Sequence, residues 1–257
     1  MRTLGVAIAL GISLLCLGRG GTVLAAEPVR VAVAANFAPC AQVLVQAFGT
    51  KTGQSVEVST AATGTLYAQI SHGAPFDVLL AADAETPEKL EKEGKVEPGS
   101  RFTYAIGQLA LWSATPNVVD GQGAVLKYSN FKHLAVANPV LAPYGLAAQQ
   151  VLTKLGLLQA LQAKIVTGEN VAQVHQFLAS GVAELGFVAW SQVQKDGIFA
   201  KGSGWLVPLE LYRPLRQDAV VLGRGRSRPE VKAWVEFLRS EQGKEIIGNC
   251  GYRTRVP

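Results

Sequence analysis

Apolar positions along the chain fall into short runs that alternate between strand-like and helix-like spacing. VRVAVAANF (29–37) is apolar at nearly every position, as in a strand buried on both faces, and PCAQVLVQAFGTKTG (39–53) repeats apolar residues at helical spacing up to a stop at Gly53. QSVEVSTAA (54–62) alternates like a strand, GTLYAQISHG (64–73) reads as a short helix, and FDVLLAAD (76–83) as a second buried strand. A βαβαβ order of this kind predicts a parallel, doubly wound sheet.

The same alternation returns later. LAVANP, YGLAAQQVLTKLGLL, AKIVTGEN, VAQVHQFLASG and AELGFVAW, between residues 134 and 190, read as strand, helix, strand, helix and strand. Between the two units lies the apolar crossing segment AIGQLALWSA (105–114), and after the second comes a return segment, RQDAVVLG (216–223). One long closing helix is predicted over PEVKAWVEFLRSEQGKEIIGNCG (229–251). The chain therefore leaves a first lobe, builds a second and comes back, which makes a hinged α/β pair with two crossings. The expected division is 27–105 with 214–257 as lobe I and 106–213 as lobe II, each a mostly parallel sheet flanked by helices.

The first 26 residues change the compartment. Arg2 opens a short charged start, an apolar run follows to about Leu17, and Ala25 and Ala26 offer a small-residue cleavage point. That is the layout of a secretory signal peptide, with a core too short to span a bilayer. Cys16 follows Leu15, where a lipid-attachment site wants a small residue, so export without lipidation is expected. Losing Arg2 and Arg19 takes 24 Lys and Arg to 22 against 19 Asp and Glu, a mature net charge of +3. This mild excess, concentrated only in GRGRSRPEVK (223–232), does not point to nucleic acid. Two cysteines remain, Cys40 and Cys250, far apart in the chain and without metal-site spacing; a disulfide and two separate buried thiols are both open.

Four loops that precede helices carry hydrogen-bond donors: AANFAP with Ala35 and Asn36, AATGT with Thr63, NPVLAPYG with Tyr144, and GENV with Asn170 and Val171. In an open parallel sheet such loops gather at the carboxyl ends of the strands, where ligands bind. Helix N-termini there present unpaired N–H groups and the positive end of the helix dipole, which favour an anion. Each residue also has a plainer role: Asn36 and Thr63 as helix caps, Tyr144 as a turn aromatic against Pro143. His72, His133 and His175 form neither HxxxH nor HExxH, and no GxSxG or GxxxxGK[ST] motif is present. No nucleophile is paired with a base, so catalysis is not expected, nor is a metal site or cofactor.

The segments VAVAANFAPCAQVLVQAF, ATGTLYAQISHGAPFDVLLAADAETPEKLEKEG, LAVANPVLAPYGLAAQQVLTKLG, GENVAQVHQFLASGVAELGFVAWSQV and WVEFLRSEQGKEIIGNCGY resemble, in order, the periplasmic molybdate-binding proteins of ABC transporters. The resemblance implies the two-lobed periplasmic binding protein fold, a monomer in the periplasm. It would close on molybdate or tungstate and deliver the ion to a membrane permease. It also implies a ligand set of Asn36, Thr63, Tyr144, Val171 and Ala35, giving hydroxyl, amide and main-chain donors without a charged counter-ion. Many members carry a tyrosine where this chain has Ala189. The resemblance suggests that Tyr144, at the APYG turn, supplies the hydroxyl instead. A deprotonated tetrahedral dianion offers only acceptors, which suits such a lining, whereas protonated phosphate would want a carboxylate. Sulfate and phosphonate carriers, and an exported α/β enzyme acting on an anionic substrate, are the alternatives.

Overall fold

A computed structural model describes residues 27–254 of the chain; the expected signal segment, with Cys16, lies outside the described residues. The first lobe begins with β1 (Val29–Ala34), α1 (Ala38–Thr52), β2 (Val56–Ala61), α2 (Thr63–Ser71), β3 (Val78–Leu80), α3 (Glu85–Lys92) and β4 (Phe102–Gly107). The second contains β5 (Leu109–Ser113), α4 (Val125–Tyr128), β6 (Leu134–Ala137), α5 (Pro143–Lys154), α6 (Leu158–Leu161), β7 (Ile165–Gly168), α7 (Val171–Ala179) and β8 (Leu185–Ala189). It continues through α8 (Trp190–Val193), a ribbon of β9 (Gln194–Lys195) with β10 (Ile198–Phe199), and β11 (Ser203–Leu206). The chain then returns as β12 (Leu215–Val221) and ends in α9 (Pro229–Arg239) and α10 (Glu241–Asn249).

Each lobe is built on a five-stranded sheet, ordered β2-β1-β3-β12-β4 in the first and β11-β5-β8-β6-β7 in the second. In both, the three strands of the βαβαβ unit run parallel. The strand that arrives from the other lobe, β12 in the first sheet and β5 in the second, is antiparallel to both its neighbours. The two sheets thus share one topology, and the crossings explain why neither is purely parallel. Gln108 alone separates β4 in one sheet from β5 in the other.

Burial follows the sequence pattern. β1 lies inside the sheet and is buried at every position but Arg30, as its nearly continuous apolar run anticipates, whereas β2 at the sheet edge alternates between covered and exposed positions. Helix α1 stops at Gly53, which takes the left-handed conformation (φ 71°) as the sequence predicts. Phe37, Leu44, Phe48 and Trp234 fill the first lobe on one side of its sheet, and Trp112, Phe187, Leu109 and Leu111 lie in the core of the second. Small residues at the ends of β1, β2 and β3, namely Ala34, Ala62 and Ala82, pack into the second lobe's core, so the lobes meet at the strand ends. The Gly64 N–H donates to the Leu141 carbonyl across that seam at 2.9 Å.

One expectation needs adjusting. The closing helix is not continuous: Ser240 is extended (φ −66°, ψ 161°), and its Oγ accepts from the Gly243 N–H at 3.1 Å, ending α9 and capping α10. The cysteine question, left open by the sequence, resolves as a disulfide between Cys40 and Cys250, with Cα atoms 5.8 Å apart. It ties α1 to the C-terminal tail.

Candidate functional site

The sheets present the carboxyl ends of β1, β2, β6 and β7 to the space between the lobes, and the structure after each of these ends begins a helix. Ala35, Asn36, Thr63, Tyr144 and Val171 all line one cavity there, with Ala62, Ala82 and Pro143 among the apolar walls. All five are buried. The open space is about 10 Å³, on the order of a single water.

The hydrogen bonds behind the cavity decide which donors face it. Thr63 Oγ1 accepts from the Ala82 N–H at 3.0 Å, and Tyr144 Oη accepts from Gln217 Nε2 at 3.2 Å. Each hydroxyl is therefore held as an acceptor from the protein interior, which leaves its own proton to donate elsewhere. Asn170 caps α7, its Oδ1 accepting from the N–H groups of Ala172 (3.0 Å) and Gln173 (3.1 Å). That cap leaves the first N–H of the helix, on Val171, for a ligand.

The capping roles considered for Asn36 and Thr63 do not hold, because neither side chain makes a cap hydrogen bond; Ala34, Phe37 and Ala62 occupy the cap positions. Asn36 differs from the expectation in a second way. Its Nδ2 donates to Gln217 Oε1 (3.0 Å) and to Tyr252 Oη (3.1 Å), which uses both amide protons inside the protein. What Asn36 offers the cavity is its main-chain N–H, in the first turn after β1, beside that of Ala35. Tyr144 lies one residue past Pro143 in the first turn of α5, and its ring is buried with its hydroxyl at Gln217, so packing on Pro143 is not its whole role. Ala189 ends β8 and is buried, its N–H donating to Gln192 Oε1 at 3.0 Å.

Among the described residues, no Asp, Glu, Lys or Arg lines the cavity. Burial holds the phenols of Tyr144 and Tyr104 well above their ordinary pKa and pushes that of Tyr252 up to about 12, so all three stay neutral. Two acids adjoin cavity residues in sequence, Glu169 before Asn170 and Asp83 after Ala82; burial raises the pKa of Asp83 to about 6, against the lowering effect of its hydrogen bonds from Thr86. Within the basic run 223–232, three arginines are engaged elsewhere: Arg224 pairs with Glu27, Arg226 donates to the Gly94 and Val96 carbonyls, and Arg228 pairs with Asp77 at 2.7 Å. His175 stacks on Trp112 (ring centroids 5.4 Å apart), and no cluster of three or more potential metal ligands occurs among the described residues.

Sequence reasoning missed the layer behind the cavity. Gln217, Tyr104, Tyr252 and Ser191 form a buried network, in which the hydroxyl of Tyr252 donates to the Asn36 carbonyl (2.8 Å) and accepts from Ser191 Oγ (2.9 Å). One local signal was available: Arg216, Gln217 and Asp218 interrupt the apolar run of β12, and a register shift between Gln217 and Asp218 in the β12–β4 pairing lets these two be buried.

Comparison with known proteins agrees with this architecture. A family profile described as bacterial extracellular solute-binding protein matches residues 29–253. A protein named molybdate-binding protein ModA from Azotobacter vinelandii is 56% identical over 227 residues, covering 88% of this chain and 90% of its own. One of the same name from Rhodobacter capsulatus is 48% identical over 231 residues, 90% of each chain. The solved structure of the Azotobacter vinelandii periplasmic molybdate-binding protein superposes with a TM-score of 0.86 at 42% identity, covering 89% of this chain and all of that one. With the profile spanning nearly the whole described chain and relatives this similar, the chain belongs to the bacterial extracellular solute-binding protein family.

Proposed function

We propose that this protein captures molybdate or tungstate between its two lobes and delivers the ion to the membrane permease of an ABC transporter. The observation that carries the reading is the lining: hydroxyls and helix-start N–H groups from both lobes converge on one cavity that, among the described residues, has no carboxylate and no cation. A fully deprotonated tetrahedral dianion accepts hydrogen bonds on every oxygen and donates none, so it satisfies such a lining completely. A protonated phosphate would leave its own O–H without an acceptor, and a buried polar group left unpaired costs roughly 1–3 kcal/mol. The identity of the ion is supported by what the relatives from Azotobacter vinelandii and Rhodobacter capsulatus are named for.

In this reading Thr63 and Tyr144 donate through their hydroxyls, and Ala35, Asn36 and Val171 through main-chain N–H groups. The positive ends of the helix dipoles take the place of a counter-ion. Opening and closing proceed by hinge motion about the two crossings, at Gln108 between β4 and β5 and just ahead of β12 at Leu215. Residues 1–26 direct export, and the mature protein works in the periplasm as a monomer without enzymatic activity or cofactor. Calorimetric titration of the mature protein with molybdate, tungstate, sulfate and phosphate tests the proposal. Molybdate and tungstate should bind far more tightly than sulfate, because a site shaped for the larger ions leaves sulfate unable to reach all donors together. Equal affinity for sulfate would refute the assignment.

A further inference from the structure

Gln217 connects the two halves of the site. It lies in β12, the strand that returns from the second lobe, and it is fully buried. Its Oε1 accepts from Asn36 Nδ2 (3.0 Å) and lies 3.1 Å from Tyr104 Oη, which shares its single proton between this oxygen and the Ala81 carbonyl (2.9 Å), all on the first lobe, while its Nε2 donates to Tyr144 Oη on the second (3.2 Å). The orientation of the amide is fixed by its partners. The Tyr252 hydroxyl gives its proton to the Asn36 carbonyl, so the Asn36 side chain meets it with Nδ2; that same Nδ2 calls for the oxygen of Gln217, and the nitrogen of Gln217 then faces Tyr144. With one lone pair of Oη occupied by that donor, the Tyr144 proton turns away from the network. Gly107 keeps the space clear, since a methyl group there would overlap the Tyr144 hydroxyl and the Gln217 amide.

We propose that Gln217 is a positioning residue for anion capture: by donating to Tyr144 Oη across the seam, it turns the phenolic proton toward the anion and engages only when the lobes meet. The inference rests on the reading of Tyr144 as a ligand but not on which oxyanion is bound. It assigns β12 a part in recognition, although Gln217 is not among the residues lining the cavity.

The substitution Gln217→Glu reverses one hydrogen-bond direction with almost no change in shape. A protonated carboxyl can still donate to Tyr144 and accept from Asn36 and Tyr104; an ionised one only accepts, and draws the Tyr144 proton to itself. The charged groups around β12 are Asp218 with its partners Arg101 and Arg216, Asp83, and Arg253 on the tail. They are present in parent and variant alike, so the ratio of the two affinities at each pH isolates residue 217.

The probe is whichever of molybdate, tungstate, sulfate or phosphate the parent binds most tightly by calorimetry. A parent that prefers sulfate refutes the molybdate reading and leaves this test intact; a parent that binds none of the four overturns both. From pH 5.5 to 8.5 the variant should go from near-parent affinity to roughly 10-fold weaker or more, the loss of a hydrogen bond to a charged group. A ratio independent of pH, with only a lowered melting temperature, would mean that Gln217 is structural and overturns the proposal. Placing Gln217→Glu in a Tyr144→Phe background should shrink the pH-dependent loss at least several-fold; an undiminished loss means that the carboxylate repels the anion directly, which also overturns it. If Gln217→Glu does not fold, the parent supplies the answer. The 13Cζ resonance of Tyr144, assigned by its disappearance in Tyr144→Phe, should shift when the anion is added, and an unmoved resonance rules the proposal out.

Discussion

Replacing Thr63 by valine removes one hydroxyl with little change in shape, and the structure indicates two separable costs. Thr63 Oγ1 accepts from the buried Ala82 N–H at 3.0 Å, so valine strands that donor even without ligand, at roughly 1–3 kcal/mol. For a domain pair of this size, each kcal/mol lowers the melting temperature by roughly 2–4 °C. No loss of helix capping adds to this, because the cap position of α2 belongs to Ala62. The second cost appears only with ligand. A lost hydrogen bond to a charged group weakens binding by roughly 1.5–3 kcal/mol, or about 10- to 150-fold in Kd. Thr63→Ser retains the hydroxyl and should restore most of both. The assay pairs calorimetric titration of molybdate with ligand-free melting of parent, valine and serine forms. A valine variant that melts lower but binds molybdate like the parent would show that Thr63 only supports the Ala82 backbone, and the ligand reading of that hydroxyl would fall.

The parts of this molecule legible in its sequence are those that local pattern controls. VRVAVAANF had to begin with an interior strand because, Arg30 apart, its first seven residues are all apolar, and Gly53 had to end its helix because a left-handed residue was needed there. The loops that line the cavity were legible for a related reason: in a βαβ unit the position of a helix start follows from the order of the elements. What stayed hidden depends on partners remote in the chain. Asn36 read as a side-chain donor, yet its amide protons are committed to residues 181 and 216 positions away. The disulfide spans 210 residues, and no spacing rule applies at that distance. Ser240 failed for the opposite reason: the apolar period continues on both sides of it, so only the backbone turn at the serine, set by packing of α10 against α1 and α9, distinguishes two helices from one.

Three further outcomes follow from the same contacts. The unreduced, unfolded mature protein should show no titratable thiol, and reducing Cys40–Cys250 should destabilise the fold by about 2–4 kcal/mol; two free thiols would exclude the bridge. Tyr144→Phe should weaken molybdate binding roughly 10- to 150-fold while also leaving Gln217 Nε2 without its acceptor, and unchanged affinity by calorimetry would remove Tyr144 from the ligand set. Asp83 should make the fold less stable as pH rises: burial lifts its pKa from 3.8 to about 6, so the folded protein keeps a proton that the unfolded chain has already released. Its contribution is therefore complete below about pH 4, is lost as pH rises through about 6, and amounts to about 3 kcal/mol at most. Scanning calorimetry of parent and Asp83→Asn from pH 4 to 7 checks this, because asparagine still accepts from the Thr86 N–H but has no proton to lose; a stability difference that stays flat across that range would refute the buried-acid reading.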